Sequence, residues 1–265
     1  MKKQLVCFFV LSLIASVPVL AMGMYPKAPS MVELQSRVSG ELNRMDNEMA
    51  QAAIHLASTG LTGTAAGQIL QNLYGDNPAA VDVATIDLDG KLLRIEPEKY
   101  KDSEGKNISD QPHFALLKKS GKPVLSGIFK TVEGFYAASL AYPVIGPAGQ
   151  PVGFVSMVLK PDALIGNIVK PYIADLPQVE VLAIQLDGRI IYDRDIMQIG
   201  KMTFSDPLYQ PYPDLLNLAK KIVEESSGTG AYIFPGRTVT QPVKKETEWA
   251  TVGLHGVEWR LIISK

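Results

Sequence analysis

The sequence predicts an α+β protein, with one long N-terminal helix followed by two tandem modules. Each module reads as an antiparallel sheet of about five strands with a helical excursion. Three observations predict this. Helical periodicity runs unbroken from Ser30 to Gly60, and period-two alternation punctuated by turn residues then replaces it. The decapeptide "IDLDGKLLRI" at Ile86 returns as "IQLDGRIIYD" at Ile184, 98 residues later. A repeat of that length is a small domain and not one turn of a solenoid.

The chain opens with "MKKQLVCFFVLSLIASVPVLA", in which two lysines precede an apolar core from Leu5 to Val17. Val19 and Ala21 fit the small-residue positions of a signal-peptidase site, so residues 1–21 read as a secretory signal peptide. A retained N-terminal membrane anchor is the alternative. The apolar core is shorter than the roughly 20 residues that span a bilayer. The protein is therefore expected in the periplasm or outside the cell. Its one cysteine, Cys7, lies inside this segment, which leaves the mature chain without disulfides, thiol chemistry or cysteine-ligated metal.

The long helix covers residues 30–60. Leu34, Val38, Leu42, Met45, Met49, Ala52 and Leu56 recur every three or four positions and form one face. Ser30 is placed to cap its start, with Glu33 completing a capping box, and Gly60 ends it. A second helix is read from Thr64 to Tyr74, inside a first module spanning 61–160. There "VDVATIDLDGKLLRIEP" alternates on both sides of Asp89-Gly90, a pair that suits a type I′ hairpin turn. A loop with a short helix from Pro112 to Lys119 follows. "KPVLSGIFKT", "GFYAASLAYPVI" and "QPVGFVSMVLKP" then read as three strands, separated by Glu133-Gly134 and "GPAGQ" turns. Residues 161–178 contain a connecting helix. The second module, 179–265, repeats the hairpin and the excursion and closes with strands in "GTGAYIFPG", "TQPVKKETEWATVGL" and "VEWRLIISK".

Strand, strand, helices and three strands is the order of a PAS-like domain. The whole stretch from Ser30 to Lys265 resembles the double Cache domains, the extracytoplasmic sensing regions of prokaryotic histidine kinases and chemoreceptors. The residues that carry the resemblance are "DLDGKLLRI", "GKNISDQPHF", "GKPVLSG", "AYPVIGPAGQPVGFVSMVL", "IQLDGRIIYD" and "VEWRLII". It implies a small-molecule ligand in the first, membrane-distal-type module and a mainly structural second, proximal-type module. Receptors of this kind continue into a second transmembrane helix and a signalling domain. The sequence stops at Lys265, so a stand-alone form is expected, feeding a membrane sensor or transporter.

In the amino-acid-sensing branch, an arginine-containing segment before the short helix grips the ligand carboxylate. An aspartate on a later strand takes the amine. Here the resemblance places Gln111 near the arginine position and Lys130 near the aspartate, a charge reversal. A lysine facing a pocket attracts a carboxylate and repels an ammonium. The expected ligand is thus a small anion such as a carboxylate, met by Gln111, His113, Phe114, Lys130, Tyr136 and Ser139. The alternative for Lys130 is an exposed strand lysine, and for His113 a cap or surface residue.

The remaining sequence excludes more than it adds. Net charge is −1 with no long basic run, which disfavours nucleic acid as a partner. The three histidines are scattered, and neither a Gly-x-Ser-x-Gly elbow nor a Gly-Lys-Ser/Thr phosphate loop occurs. No enzymatic activity, metal or cofactor is expected. Asp82, Asp87 and Asp89 cluster at the first hairpin, but turn aspartates ordinarily serve the turn. A protein-interaction or accessory role without a ligand is the competing function, with homodimerisation through the long helix as one form of it.

Overall fold

Helix α1, Met31–Thr59, forms where the periodicity placed it. The computed structural model describes residues 28–131, 135–235 and 241–265, apart from the side chains of Pro112 and His113. The signal-peptide segment and the Glu133-Gly134 turn lie outside the described residues. Ser30 Oγ accepts from the Glu33 amide at 3.2 Å, which satisfies one of the four free donors at the helix start. The Glu33 carboxylate does not close the capping box. It reaches forward to Arg37, 3.3 Å away.

The apolar stripe of α1 packs onto strands of both sheets, so Leu34, Val38 and Met49 are fully buried. One apolar cluster runs from the first sheet through α1 to the second. The stripe is thus consumed within the chain and offers no seam for the homodimer considered above. The large hydrophobic residues that α1 exposes are Val32 and Ile54.

Helix α2 spans Gly63–Gly75. The first module then comprises β1 (Ala80–Ile86), β2 (Leu92–Glu96), a 3₁₀ turn (Glu98–Ser103), α3 (Pro112–Ser120), β3 (Val124–Leu125), β4 (Phe129–Lys130), β5 (Tyr136–Ile145) and β6 (Pro151–Leu159). Its six-stranded antiparallel sheet is ordered β2-β1-β6-β5-β3, with β4 also on β5. The segment predicted as one strand at 122–131 is split in two. Its Ile128 amide leaves the sheet and donates to Gln185 Oε1 in the second module at 2.8 Å.

Helix α4 (Pro161–Ile173) connects to β7 (Glu180–Gln185), β8 (Ile190–Asp193), α5 (Pro213–Glu224), β9 (Ser227–Pro235), β10 (Pro242–Leu254) and β11 (Val257–Ser264). The second sheet is ordered β8-β7-β11-β10-β9, the same topology as the first without the extra strand.

The paired hairpins correct one expectation. A type I′ turn needs two residues at positive φ, but Gly90 alone adopts it, at 87°. Asp87 explains the difference. Its Oδ1 accepts from the amides of Asp89 (2.9 Å) and Lys91 (2.8 Å), which holds a longer turn in place. Of the acidic cluster at this hairpin, Asp87 serves the turn.

Further contacts join the modules besides the core and the Ile128–Gln185 hydrogen bond. The Tyr136 ring lies against Gly200, and the Arg189 guanidinium carbon sits 5.3 Å from that ring's centroid. Asp46 of α1 accepts from the Tyr142 hydroxyl at 2.5 Å, and its Oδ1 also lies 2.6 Å from His255 Nε2. These tie α1, the first sheet and the β10–β11 turn together.

Candidate functional site: a cleft on the first sheet

Alternation along β1 divides its side chains between two environments. Val83 enters the core under α1, and Thr85 Oγ1 donates to the Leu61 carbonyl at 2.7 Å. Asp82, Ala84 and Ile86 therefore face the other side. On β6, Val158, Ser156 and Phe154 stand directly opposite them. The 3₁₀ turn, the loop leading into α3, and β4 rise over this surface and enclose a cleft of about 1330 Å³, open mouth included. Phe114 meets Phe154 edge to face, ring centroids 5.4 Å apart, in a small core beside the cleft.

The cleft is polar at two places. Tyr100, Lys106, Asp110 and Gln111 line the wall before α3, and Lys130 and Thr131 line the wall made by β4. Between them the floor carries Asp82 and Ser156. Thr131 Oγ1 is buried and has no hydrogen-bond partner among the described residues. Such a hydroxyl costs free energy unless something satisfies it, and the cleft is the space it borders.

The residues predicted from sequence separate into groups. Gln111 and Lys130 both line the cleft, and the Lys130 side chain is exposed and makes no ion pair among the described residues. Ser139, opposite Val158 on the same face of the sheet, is fully buried beside the cleft and does not line it, with its hydroxyl 2.8 Å from that of Ser156, which does reach the cleft. Phe114 is 2% exposed and serves the adjoining core. Tyr136 lies three positions from Ser139 on one strand, so the two point to opposite faces. Its ring packs against the second module instead. His113 is the second residue of α3, and its side chain lies outside the described residues.

Sequence reasoning missed Thr131 and Ser156, and it read Asp82 only as part of the hairpin's acidic cluster. The alternation Phe154, Ser156, Val158 was a usable signal for Ser156. For Asp82 the signal was its position two and four residues before Ala84 and Ile86. Thr131 follows a two-residue strand, and no pattern marks its burial.

Among the described residues no helix is long and apolar enough to cross a membrane, and no group of three or more His, Cys, Asp or Glu is arranged to hold a metal ion.

Two like-ordered antiparallel sheets sharing one long helix, with a cleft over the first, are consistent with a tandem PAS-like, Cache-type fold. Residues 40–161 match the family described as HK/GC/Chemotaxis protein-like, sensor domain. An extracellular ligand-binding receptor from Desulfohalobium retbaense is 32% identical, with a TM-score of 0.72 over 88% of this chain and 40% of that one. The chain thus spans about two fifths of that receptor's length. The ligand-binding domain of the Pseudomonas fluorescens chemoreceptor CtaA, solved with L-alanine, is 18% identical with a TM-score of 0.63, covering 88% of this chain and 92% of that one. The periplasmic sensory domain of a Campylobacter jejuni chemoreceptor is 14% identical with a TM-score of 0.60, covering 88% and 91%. At such identities these last two show the fold alone. Among curated proteins none matches the chain.

Proposed function

We propose that the first module binds a small carboxylate-bearing metabolite outside the cytoplasm and presents its bound state to a membrane sensor or transporter. The observation that carries this reading is the buried, unpartnered Thr131 hydroxyl next to Lys130, with Gln111 on the wall before α3. A carboxylate has two oxygens to be met by donors. Lys130 supplies a charge, and Thr131 and Gln111 supply neutral donors, the combination that strengthens hydrogen bonds to an anion.

Lys130 alone argues against an amine on the ligand. Asp82 and Asp110 line the same cleft and offset that argument, because an ammonium at their end of the cleft is attracted. Amino acids therefore stand beside plain carboxylates as ligands, a view supported by the L-alanine held by the Pseudomonas domain. The test is a thermal-shift series on the mature chain with propionate, lactate, L-alanine and ethylamine. Stabilisation by carboxylates but not by ethylamine supports the reading, since a ligand of the folded state raises the melting temperature. It fails if none of the three carboxylates shifts the chain, or if ethylamine does so equally well.

A further inference from the structure

The second module holds a chamber that the first-module reading does not use. It lies between the sheet and α5, with about 490 Å³ of empty space, open mouth included, and its walls are mainly apolar: Ile184, Ile190, Leu218 and Ile222 among them. Thr203, 6% exposed, lines this chamber. The chamber continues into a larger cleft of about 1030 Å³, sharing Leu182, Ile190, Tyr209, Leu215 and Tyr232 with it.

The outer cleft has a different chemistry. Tyr212 and Phe234 meet edge to face at 4.7 Å, and Tyr209 and Tyr232 extend that aromatic wall. Glu180, Asp193 and Asp195 line it alongside Arg194 and Lys245. The two cations are already engaged within the chain. Lys245 Nζ lies 2.6 Å from Glu180, and Arg194 donates to the Leu176 carbonyl at 3.2 Å. Burial first, and then the charges of Asp193, Asp206 and Asp195, hold the Tyr209 hydroxyl above the usual tyrosine range. Lys245 also shows that this wall accepts a buried ammonium, with Nζ 5.8 Å from the Tyr232 centroid and 5.5 Å from that of Phe234.

The module repeat puts the two cavities in matching places. Glu180 follows Asp82 by the same 98 residues that separate the two decapeptides, and each borders the cleft of its own sheet.

We propose that the second module is itself a binding site, for a small organic ammonium with an apolar tail. The tail enters the chamber under α5, and the ammonium rests between the aromatic wall and the carboxylates of Asp193 and Asp195. The proposal does not depend on what the first module binds.

Titration calorimetry of the mature chain with n-butylamine, n-pentylamine and n-hexylamine hydrochlorides tests it. The expected result is 1:1 binding whose affinity rises about fourfold for each methylene buried. Hexanoate is expected to bind at least tenfold more weakly than hexylamine. Ala219→Leu, which fills the chamber from α5, removes hexylamine binding. Asp195→Asn keeps the cap that Asp195 gives the Met197 amide and weakens binding several-fold. Lys130→Ala, in the first module, leaves hexylamine affinity unchanged. Absence of hexylamine binding at millimolar concentration overturns the proposal. So does affinity independent of tail length, equal binding of hexanoate, or a folded Ala219→Leu and Asp195→Asn pair that both bind like the parent.

Discussion

Replacing Gly200 with alanine probes how the two modules are joined. Gly200 has φ +87°, and a Cβ built there falls 1.9 Å from Tyr136 Cε2 and 2.5 Å from Cζ. Carbon atoms normally rest about 3.5–4.0 Å apart, so the ring has to move. Its freedom is limited by Arg189, stacked over it. The left-handed backbone costs an alanine about 1–2 kcal/mol, and overpacking costs about 1–3 kcal/mol more. A total near 3 kcal/mol corresponds to a loss of roughly 6–12 °C in melting temperature for a chain of this size. Urea unfolding of Gly200→Ala, Tyr136→Ala and the double variant separates the two costs. Without the Tyr136 ring, Gly200→Ala should cost only the backbone contribution, about 1–2 kcal/mol. The double variant should then be at least 1 kcal/mol more stable than additivity predicts, a size typical of residues in contact. An equal cost of Gly200→Ala in both backgrounds would refute the placement of Tyr136 at this interface.

Other consequences follow from the same packing. Asp46→Ala removes the shared acceptor of Tyr142 and His255 and should destabilise by about 2 kcal/mol; combined with His255→Ala, the cost should fall short of the sum, and strict additivity in urea unfolding contradicts the shared contact. Leu42→Ala empties part of the α1 stripe, where Leu42 is 1% exposed, and should cost about 2–5 kcal/mol by the same assay. Burial above all holds the hydroxyls of Tyr142, Tyr209 and Tyr232 above the usual tyrosine range. Unfolded tyrosines release their protons near pH 10 while these three retain theirs, so the stability they lend is complete below that pH and is lost as pH rises above it. The urea midpoint should fall between pH 9.5 and 11, less steeply in Tyr142→Phe, and a flat profile argues against buried hydroxyls.

Much of the architecture was legible because it rests on periodicity. The α1 stripe from Leu34 to Leu56 is apolar at helical spacing, and the chain buries that face. The two decapeptides marked the modules because each begins a sheet of the same strand order. What escaped depends on long-range partners. The strand predicted through residues 122–131 breaks because Ile128 finds Gln185 across the module boundary. The turn at Asp89-Gly90 differs because the Asp87 side chain supplies hydrogen bonds that a two-residue turn lacks.

The site was half legible for a similar reason. Gln111 and Lys130 were placed by their positions in the module and do line the cleft. Tyr136 and Ser139 were grouped by proximity in sequence, although an odd spacing on one strand sends them to opposite faces. Thr131 gained its importance from burial, which a single sequence does not display.

The central claim, that the first cleft holds a carboxylate, is tested most directly by titrating the parent, Lys130→Ala and Thr131→Val with propionate and L-alanine while recording melting temperature. At a hundredfold excess over Kd a ligand stabilises the folded state by about 2.7 kcal/mol. For a chain of this size that is a rise of roughly 5–10 °C in the parent. The account predicts that rise with at least one of the two ligands, its disappearance in Lys130→Ala, and its reduction in Thr131→Val. A full rise retained in both folded variants would contradict the assignment of the carboxylate to this wall of the cleft.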